Sequence, residues 1–342
     1  MKKILIITDN KPGHESIPYG IVDYFKKYDD IEVVKLNIVL RFGFMKFLLK
    51  SLLKKKFFLN NMSIRLIRIF YKFPTDINLS NIDLIISSGG NTSFINAMLA
   101  KLYKIPNVLC TYLRGLDNTL FDYVLTINPN DTYDNNLFFD LLPVRVSKDK
   151  DKISKFGEKL FLKDKSVWSI LIGGSTKEYP FDDSEIIFIV QKILEKAKQE
   201  NKNILFTTSR RTGLGLENKL LKLIGKYDNV LYSVFYNIKP ERIMPLYLYN
   251  SDVVFVTEDS GAMITESIYA QKPTITIKKK QVDPKKRYKY NDYIDNLVNM
   301  NYIKSYSIDK MENLDIDKLN FQFYDISKNE ENFSKIYNLM EE

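Results

Sequence analysis

Ten short apolar runs, most of them apolar at every position, constrain this 342-residue chain more than any other feature. A strand with one face in water alternates polar with apolar residues, whereas a strand buried on both faces is continuously apolar. In the first half the runs are ILII (4–7), IEVVKLNIV (31–39), IDLIIS (82–87), PNVLC (106–110) and DYVLTI (122–127). In the second half they are VWSILI (167–172), NILFTT (203–208), VLYSVF (230–235), DVVFVT (252–257) and TITI (274–277). Stretches of helical period lie between them. The clearest, 184–200, sets Ile186, Ile187, Val190, Ile193, Leu194 and Ala197 on one stripe, and Asp182 with Glu185 forms its capping box. Strand–helix–strand repetition predicts parallel sheets with helices on both faces. The fold class is therefore α/β, with two Rossmann-like lobes whose parallel sheets face a central cleft. A polar stretch, 147–166, reads as a linker with a short helix. The expected domains are 1–150, 151–320, and a final helix in 321–342 that packs back on the first.

The length suits two cores. The one cysteine, Cys110, allows no intrachain disulfide and no cysteine-built metal cluster, and implies a reducing compartment. The start MKKILIITDN is basic then apolar, but Asp9 cuts the apolar stretch too short for a signal peptide. No apolar run approaches the roughly 18 residues of a membrane span. The net charge of +9 is uneven: between Glu32 and Asp76 no acidic residue occurs, while Lys35, Arg41, Lys46, Lys50, Lys54, Lys55, Lys56, Arg65, Arg68 and Lys72 do. Within it, 38–73 mixes these cations with Leu, Phe, Met and Ile, which fits an anionic membrane surface. Polar base-reading side chains are few, so nucleic acid is not the expected partner. The bland reading is a core helical hairpin with a solvated basic rim. A second cluster, Lys278, Lys279, Lys280, Lys285, Lys286, Arg287 and Lys289, suits either an anionic substrate or solvent.

Open parallel sheets bind ligands where strands end and helices begin, and the loops there are chemically loaded. In IGGSTKEY (172–179), Gly173 and Gly174 allow close backbone approach, while Ser175, Thr176 and Lys177 suit a phosphate. In TTSRRTG (207–213), Ser209 stands beside Arg210 and Arg211, either of which fits bidentate oxyanion binding. In VTEDSGAMITESIYAQKP (256–273), Glu258, Asp259 and Ser260 precede a helix starting at Gly261. Ser260 is a good N-cap, and the first helical amides would point at an anion. Glu266, set among Met263, Ile264 and Ile268, could accept both hydroxyls of a ribose. The opening loop carries Asp9, Lys11 and the only histidine, His14. With Gly89, Gly90 and Asn91 of SSGGNTSF (87–94), it would meet a second substrate. Asp9 or His14 would supply the base that deprotonating a hydroxyl requires.

Together these loops resemble the mitochondrial-fission Elm family, whose bacterial members are described as GT-B-type glycosyltransferases. The matching pieces are DNKPGHES, ILIGGSTKEYPFD, LFTTSRRT and VTEDSGAMITESIYAQKP, with weaker matches at 121–131 and 278–290. The usual first-loop pattern is D-G-K-P-G-H-E, and here Asn10 replaces its first glycine. The resemblance implies a GT-B-like chain whose second lobe holds a nucleotide-sugar donor and whose first holds an acceptor. Seven residues separate Glu258 from Glu266, the E-x7-E spacing seen in many retaining GT-B enzymes. No D-x-D motif stands in a donor position, so binding without metal or other cofactor is expected.

The reading is a cytoplasmic glycosyltransferase, peripheral to the inner face of the membrane. It would move a sugar from a nucleoside diphosphate to a lipid-linked or lipo-oligosaccharide acceptor, as in lipopolysaccharide synthesis. The alternatives are a UDP-sugar 2-epimerase and a non-enzymatic membrane- or partner-binding adaptor.

Overall fold

The computed structural model describes residues 1–74, 79–110, 112–128, 133–146, 149–176, 179–278, 289–307, 309–310 and 314–341. The chain divides into two compact units, Met1–Arg145 with Asp325–Glu342, and Val146–Tyr324.

The first unit opens with β1 (Lys2–Thr8), α1 (Pro12–Phe25) and β2 (Ile31–Asn37). A small subassembly follows: β3 (Val39–Leu40), α2 (Met45–Leu52), α3 (Lys56–Asn60), α4 (Ile64–Phe70) and β4 (Tyr71–Lys72). The unit continues through β5 (Leu84–Ser87), α5 (Thr92–Tyr103), β6 (Asn107–Leu109), β7 (Tyr123–Thr126) and β8 (Asn136–Phe138). Its six-stranded sheet has the order β2-β1-β5-β6-β7-β8, and every pairing is parallel. The run 31–39 is not one strand: β2 ends at Asn37, and β3 pairs antiparallel with β4 in a separate ribbon. Ile38, fully buried between them, anchors the turn-off.

The second unit holds α6 (Lys150–Lys159), β9 (Val167–Ile172), α7 (Asp183–Gln199), β10 (Asn203–Thr208), α8 (Leu214–Ile224) and β11 (Val230–Val234). It ends with α9 (Met244–Tyr249), β12 (Val253–Thr257), α10 (Gly261–Tyr269), β13 (Thr274–Lys278), α11 (Lys289–Asn299) and β14 (Lys304–Ser307). Its all-parallel order is β11-β10-β9-β12-β13-β14. The apolar stripe of α7 packs Ile186, Ile189, Val190, Ile193 and Leu194 onto Trp168, Ile170, Ile204 and Phe206 in one core. The Asp182–Glu185 capping box forms at its start. The chain then returns to the first unit, where Phe333 of α12 (Glu330–Asn338) stacks on Tyr24 of α1 with ring centroids 3.9 Å apart. Both sheets are thus doubly wound α/β layers of the GT-B type.

Candidate active site

Where strand order reverses in an open parallel sheet, helices leave to opposite faces and a crevice opens at the strand carboxyl ends. In the second unit the reversal falls between β9 and β12, and in the first between β1 and β5. The loops singled out in the sequence leave these four strands and the adjoining β10.

In the second unit the crevice is bound together by side chains reaching across it. The Thr257 hydroxyl accepts from the Gly173 amide at 2.8 Å, and the Thr212 hydroxyl donates to the Gly173 carbonyl at 2.5 Å. Ser209 donates to the same carbonyl and accepts from the Arg211 amide, so its hydroxyl is engaged within the protein. Arg211 crosses from the loop after β10 to the loop after β12. Its Nη2 donates to Asp259 Oδ2 at 2.7 Å and to the Asp259 carbonyl at 3.3 Å. Arg210 is exposed, and among the described residues nothing pairs with it. The Asp259 side chain has no exposed surface. Burial pushes its carboxyl up, against the opposing pull of Arg211. Its Oδ1 is buried without a hydrogen bond among the described residues. Gly173 is glycine for this reason: a Cβ there would lie 2.3 Å from Asp259 Oδ2. Asp259 therefore aims Arg211 and is not itself placed to hold a diphosphate.

Three further assignments change. Glu258 is buried, and both its oxygens are taken: Tyr179 donates to Oε2, while Thr276 (3.0 Å) and Ser305 donate to Oε1. Ser260 occupies the N-cap of α10, but its side chain makes no capping bond. Its ψ of 70° departs from the extended backbone that aligns a capping oxygen with the amides ahead. Gly261 faces Tyr290, whose ring would lie 3.2 Å from a Cβ and whose hydroxyl donates to the Glu258 carbonyl. The amides at the start of α10 have no intrahelical acceptor, as at any helix start. Glu266, in the second turn, has no hydrogen bond or ion pair among the described residues, and burial pushes its carboxyl up to about 7. Ser175 is exposed, whereas Lys177 and 279–288 of the second basic cluster lie outside the described residues.

In the first unit, Asn10 follows β1 with φ of +59°. That left-handed conformation explains the position: glycine adopts it freely, and asparagine tolerates it better than other residues. His14 is not on the loop but in the first turn of α1, which starts at Pro12. Its Nδ1 lies 2.8 Å from Asp9 Oδ1, and Lys11 Nζ lies 2.5 Å from Asp9 Oδ2. Burial would push the Asp9 carboxyl up. The hydrogen bonds and charges of His14 and Lys11 outweigh it and hold the carboxyl well below the carboxylate range. An ionised carboxylate only accepts, so the network assigns a proton to Nδ1, and in the neutral imidazole Nε2 is the acceptor. The His14 side chain keeps 29% of its surface exposed.

Gly89, with φ of +104°, makes room for it: a Cβ there would lie 2.3 Å from His14 Nδ1. Gly90 is covered by the Arg114 guanidinium. The Asn91 side chain does not cap α5, and its carbonyl accepts from the Tyr71 hydroxyl at 2.7 Å. His14, Gly13, Ser88, Gly89, Cys110 and Tyr112 help line a cavity of about 180 Å³, with Ile17, Leu125 and Leu142 as apolar wall. That is smaller than the roughly 300–1,000 Å³ of a whole-ligand site and fits one reacting end of a ligand. A depression of about 370 Å³ lies instead by Lys104, Asn107 and Asp122, at the amino ends of β6 and β7, where open sheets do not bind ligands.

Sequence reasoning missed Tyr112, Arg114, Tyr179, Tyr290 and Glu217. Glu217 is fully buried and accepts from Thr208 at 2.5 Å and from the Asn237 amide at 2.9 Å, tying the end of β10 to the segment after β11. Only Arg114 carried a signal, the Arg-Gly pair soon after a strand end.

Two doubly wound units, each with a loaded crevice at its switch point, define a GT-B-like protein. The chain belongs to the mitochondrial fission ELM1 family, whose family model matches residues 12–322. No curated protein sequence matches it. Among solved structures it resembles the UDP-GlcNAc 2-epimerase of Methanocaldococcus jannaschii, with a TM-score of 0.59 and 15% identity over 99% of both chains. It also resembles the Neisseria meningitidis UDP-GlcNAc 2-epimerase, with a TM-score of 0.52 and 14% identity over 99% of this chain and 94% of that one. At these identities the likeness is one of fold.

Proposed function

We propose that this protein is a metal-independent glycosyltransferase that takes its sugar from a nucleoside diphosphate and needs no cofactor. The observation that carries the reading is the chemical division between the two switch points. One gathers a clamped guanidinium, free helix-start amides and a lone carboxylate, and the other a carboxylate–imidazole pair over a small cavity. In this reading the Arg211 guanidinium, the Ser175 and Ser260 hydroxyls and the amides from Gly261 onward bind the diphosphate beside Gly173 and Gly174, whose own amides donate to Thr257 and Asp259, with Arg210 and Lys177 as further cations. Glu266 accepts the ribose hydroxyls. His14 Nε2 takes the proton of the acceptor hydroxyl as that oxygen bonds to the anomeric carbon and the nucleoside diphosphate leaves. Asp9 holds the imidazole in the tautomer that can do so, and Lys11, Gly90 and Asn91 border the acceptor. The acceptor class is a lipid-linked or lipo-oligosaccharide glycan at the inner face of a membrane. Titration calorimetry with UDP-, GDP-, ADP- and CMP-sugars tests the donor, beginning with UDP-GlcNAc, the ligand named for the Neisseria epimerase. Folded protein that binds none of them removes the reading. Turnover of a UDP-sugar to its 2-epimer without acceptor would replace it with the epimerase reading, which the fold of the solved relatives favours.

A further inference from the structure

The segment 38–73 folds as a knob with two apolar sides. One side belongs to the core: Met45, Leu49, Leu53, Ile67, Phe70 and Tyr71 are buried and pack with Leu5, Ile7 and Ile85. The other points to solvent. Phe47 is 82% exposed and Phe57 80%, and Val39, Phe42, Phe44, Leu48 and Ile69 are exposed beside them in sequence. Phe42 and Phe44 stack on each other, with centroids 5.8 Å apart. A core hairpin with a basic rim would turn its large apolar residues inward. Here α2 instead buries Met45 and Leu49 and exposes Phe47 and Leu48. The cations Arg41, Lys46, Lys54, Lys55, Arg65 and Lys72 are exposed in the same segment, in which the sequence holds no carboxylate from Val33 to Thr75. Lys54 has the Asp117 carboxylate of another segment near it, but the segment as a whole sets exposed aromatic tips among exposed cations, which is complementary to an interface that is apolar within and anionic at its rim.

We propose that this knob docks the protein on an anionic phospholipid surface. Phe42, Phe44, Phe47 and Phe57 enter the acyl boundary, and Lys46, Lys54 and Lys55 meet the headgroups. It binds as a folded wedge, not as one amphipathic helix lying along the surface: α2, α3 and α4 are short, and among the described residues no helix is long and apolar enough to cross a membrane. The wedge adjoins the candidate acceptor loop. Lys50 of α2 lies against Gly115, next to Arg114, whose guanidinium covers Gly90. Docking rests on the proposed function only in naming the membrane as the place where the acceptor is met.

Cosedimentation of the full chain with vesicles tests it, using phosphatidylcholine alone and phosphatidylcholine mixed with phosphatidylglycerol. The expected result is binding to the mixed vesicles and little to the neutral ones. Phe47→Ser with Phe57→Ser should weaken it by about tenfold or more per residue, with the thermal midpoint unchanged because both side chains are exposed. Lys46→Glu with Lys54→Glu and Lys55→Glu should remove the preference for anionic lipid. No sedimentation of the folded wild type, equal binding by the phenylalanine variant, or a dimer or DNA complex abolished by the same substitutions would each overturn the proposal. Calorimetry with the nucleotide sugar on the phenylalanine variant keeps the two readings apart, since donor binding should be intact when docking is lost.

Discussion

Replacing Arg211 by alanine strikes stability and ligand binding through one side chain, and the two effects can be separated. The Asp259 side chain has no exposed surface, and Arg211 at 2.7 Å is its one charged partner, with the Thr257 hydroxyl and the Gly174 amide as neutral donors. Removing one partner of a fully buried ion pair costs about 3–5 kcal/mol. The Arg211 side chain is 36% exposed, so solvent screening lowers the expected cost to about 2–3 kcal/mol. For a unit of this size that is about 4–12 °C in thermal midpoint. The only tryptophan, Trp168, is buried in β9, so urea denaturation followed by its fluorescence reports this unit alone. A carboxyl whose folded pKa is raised destabilises as pH climbs from its unfolded value toward its folded one. The penalty of Arg211→Ala therefore grows from about pH 4 upward. UDP affinity should fall about 10–150-fold, the equivalent of one charge-assisted bond of about 1.5–3 kcal/mol. Adding Asp259→Asn removes the stranded charge and restores most of the stability, but not the affinity. If the double variant regains UDP binding, Arg211 is only a counter-ion. If Arg211→Ala costs under about 0.5 kcal/mol, the usual surface value, the pair is not the buried clamp described.

His14→Ala should lower turnover by about 10²–10⁴, the worth of a positioned general base, with donor affinity by calorimetry unchanged. Asp9→Asn should cost less, about 10–150-fold, since it removes one charge-assisted bond and leaves the imidazole in place. Equal rates in wild type and both variants would discard the role. At Asn10, glycine should change stability by less than about 0.5 kcal/mol, whereas valine should cost about 1–2 kcal/mol for a β-branched residue at φ of +59°. Thermal denaturation in parallel would show the difference.

The fold was legible because strands buried on both faces leave an unmistakable pattern: all ten apolar runs contain strands. β8 and β14 escaped for the same reason. They are short edge strands whose residues are mostly half-buried, so Asn136–Phe138 and Lys304–Ser307 carry no continuous apolar run. The loaded loops were legible by position, since sheet topology sends them to the switch points. The partners within each loop were not. Glycine reads in sequence as an opening for a ligand, yet Gly89 opens for His14 and Gly173 for Asp259, each across its switch point. Such contacts join residues 75 and 86 positions apart, and no local pattern announces them. Charge alone also misled, because Asp259 beside Ser260 looks like part of an anion site until Arg211 is seen closing on it.

Glu258 and Glu266 sharpen that point, because their spacing alone suggests one shared duty. The structure separates them. Glu258 receives three hydroxyls, from Tyr179, Thr276 and Ser305. A glutamine there turns one accepting oxygen into a donor facing hydroxyls that already donate, and each group left unsatisfied costs about 1–3 kcal/mol. Glu258→Gln should therefore destabilise the unit around Trp168 while nucleotide affinity stays within about twofold, the scale of a contact not made. Glu266→Gln should do the reverse. A carboxyl at about 7 in the folded chain, against 4.5 ordinarily, loses stability as pH rises between those values, by up to about 3 kcal/mol. The glutamine variant is free of that loss, so it should match wild type at pH 4 and exceed it at pH 8. Ribose hydroxyls donate best to the ionised form, so wild-type nucleotide affinity should climb as pH rises through about 7, and the variant's should not. If instead Glu258→Gln loses the nucleotide and keeps its stability, the hydroxyl cage is not what holds that carboxylate. The pair would then act on the ligand together, as the spacing first suggested.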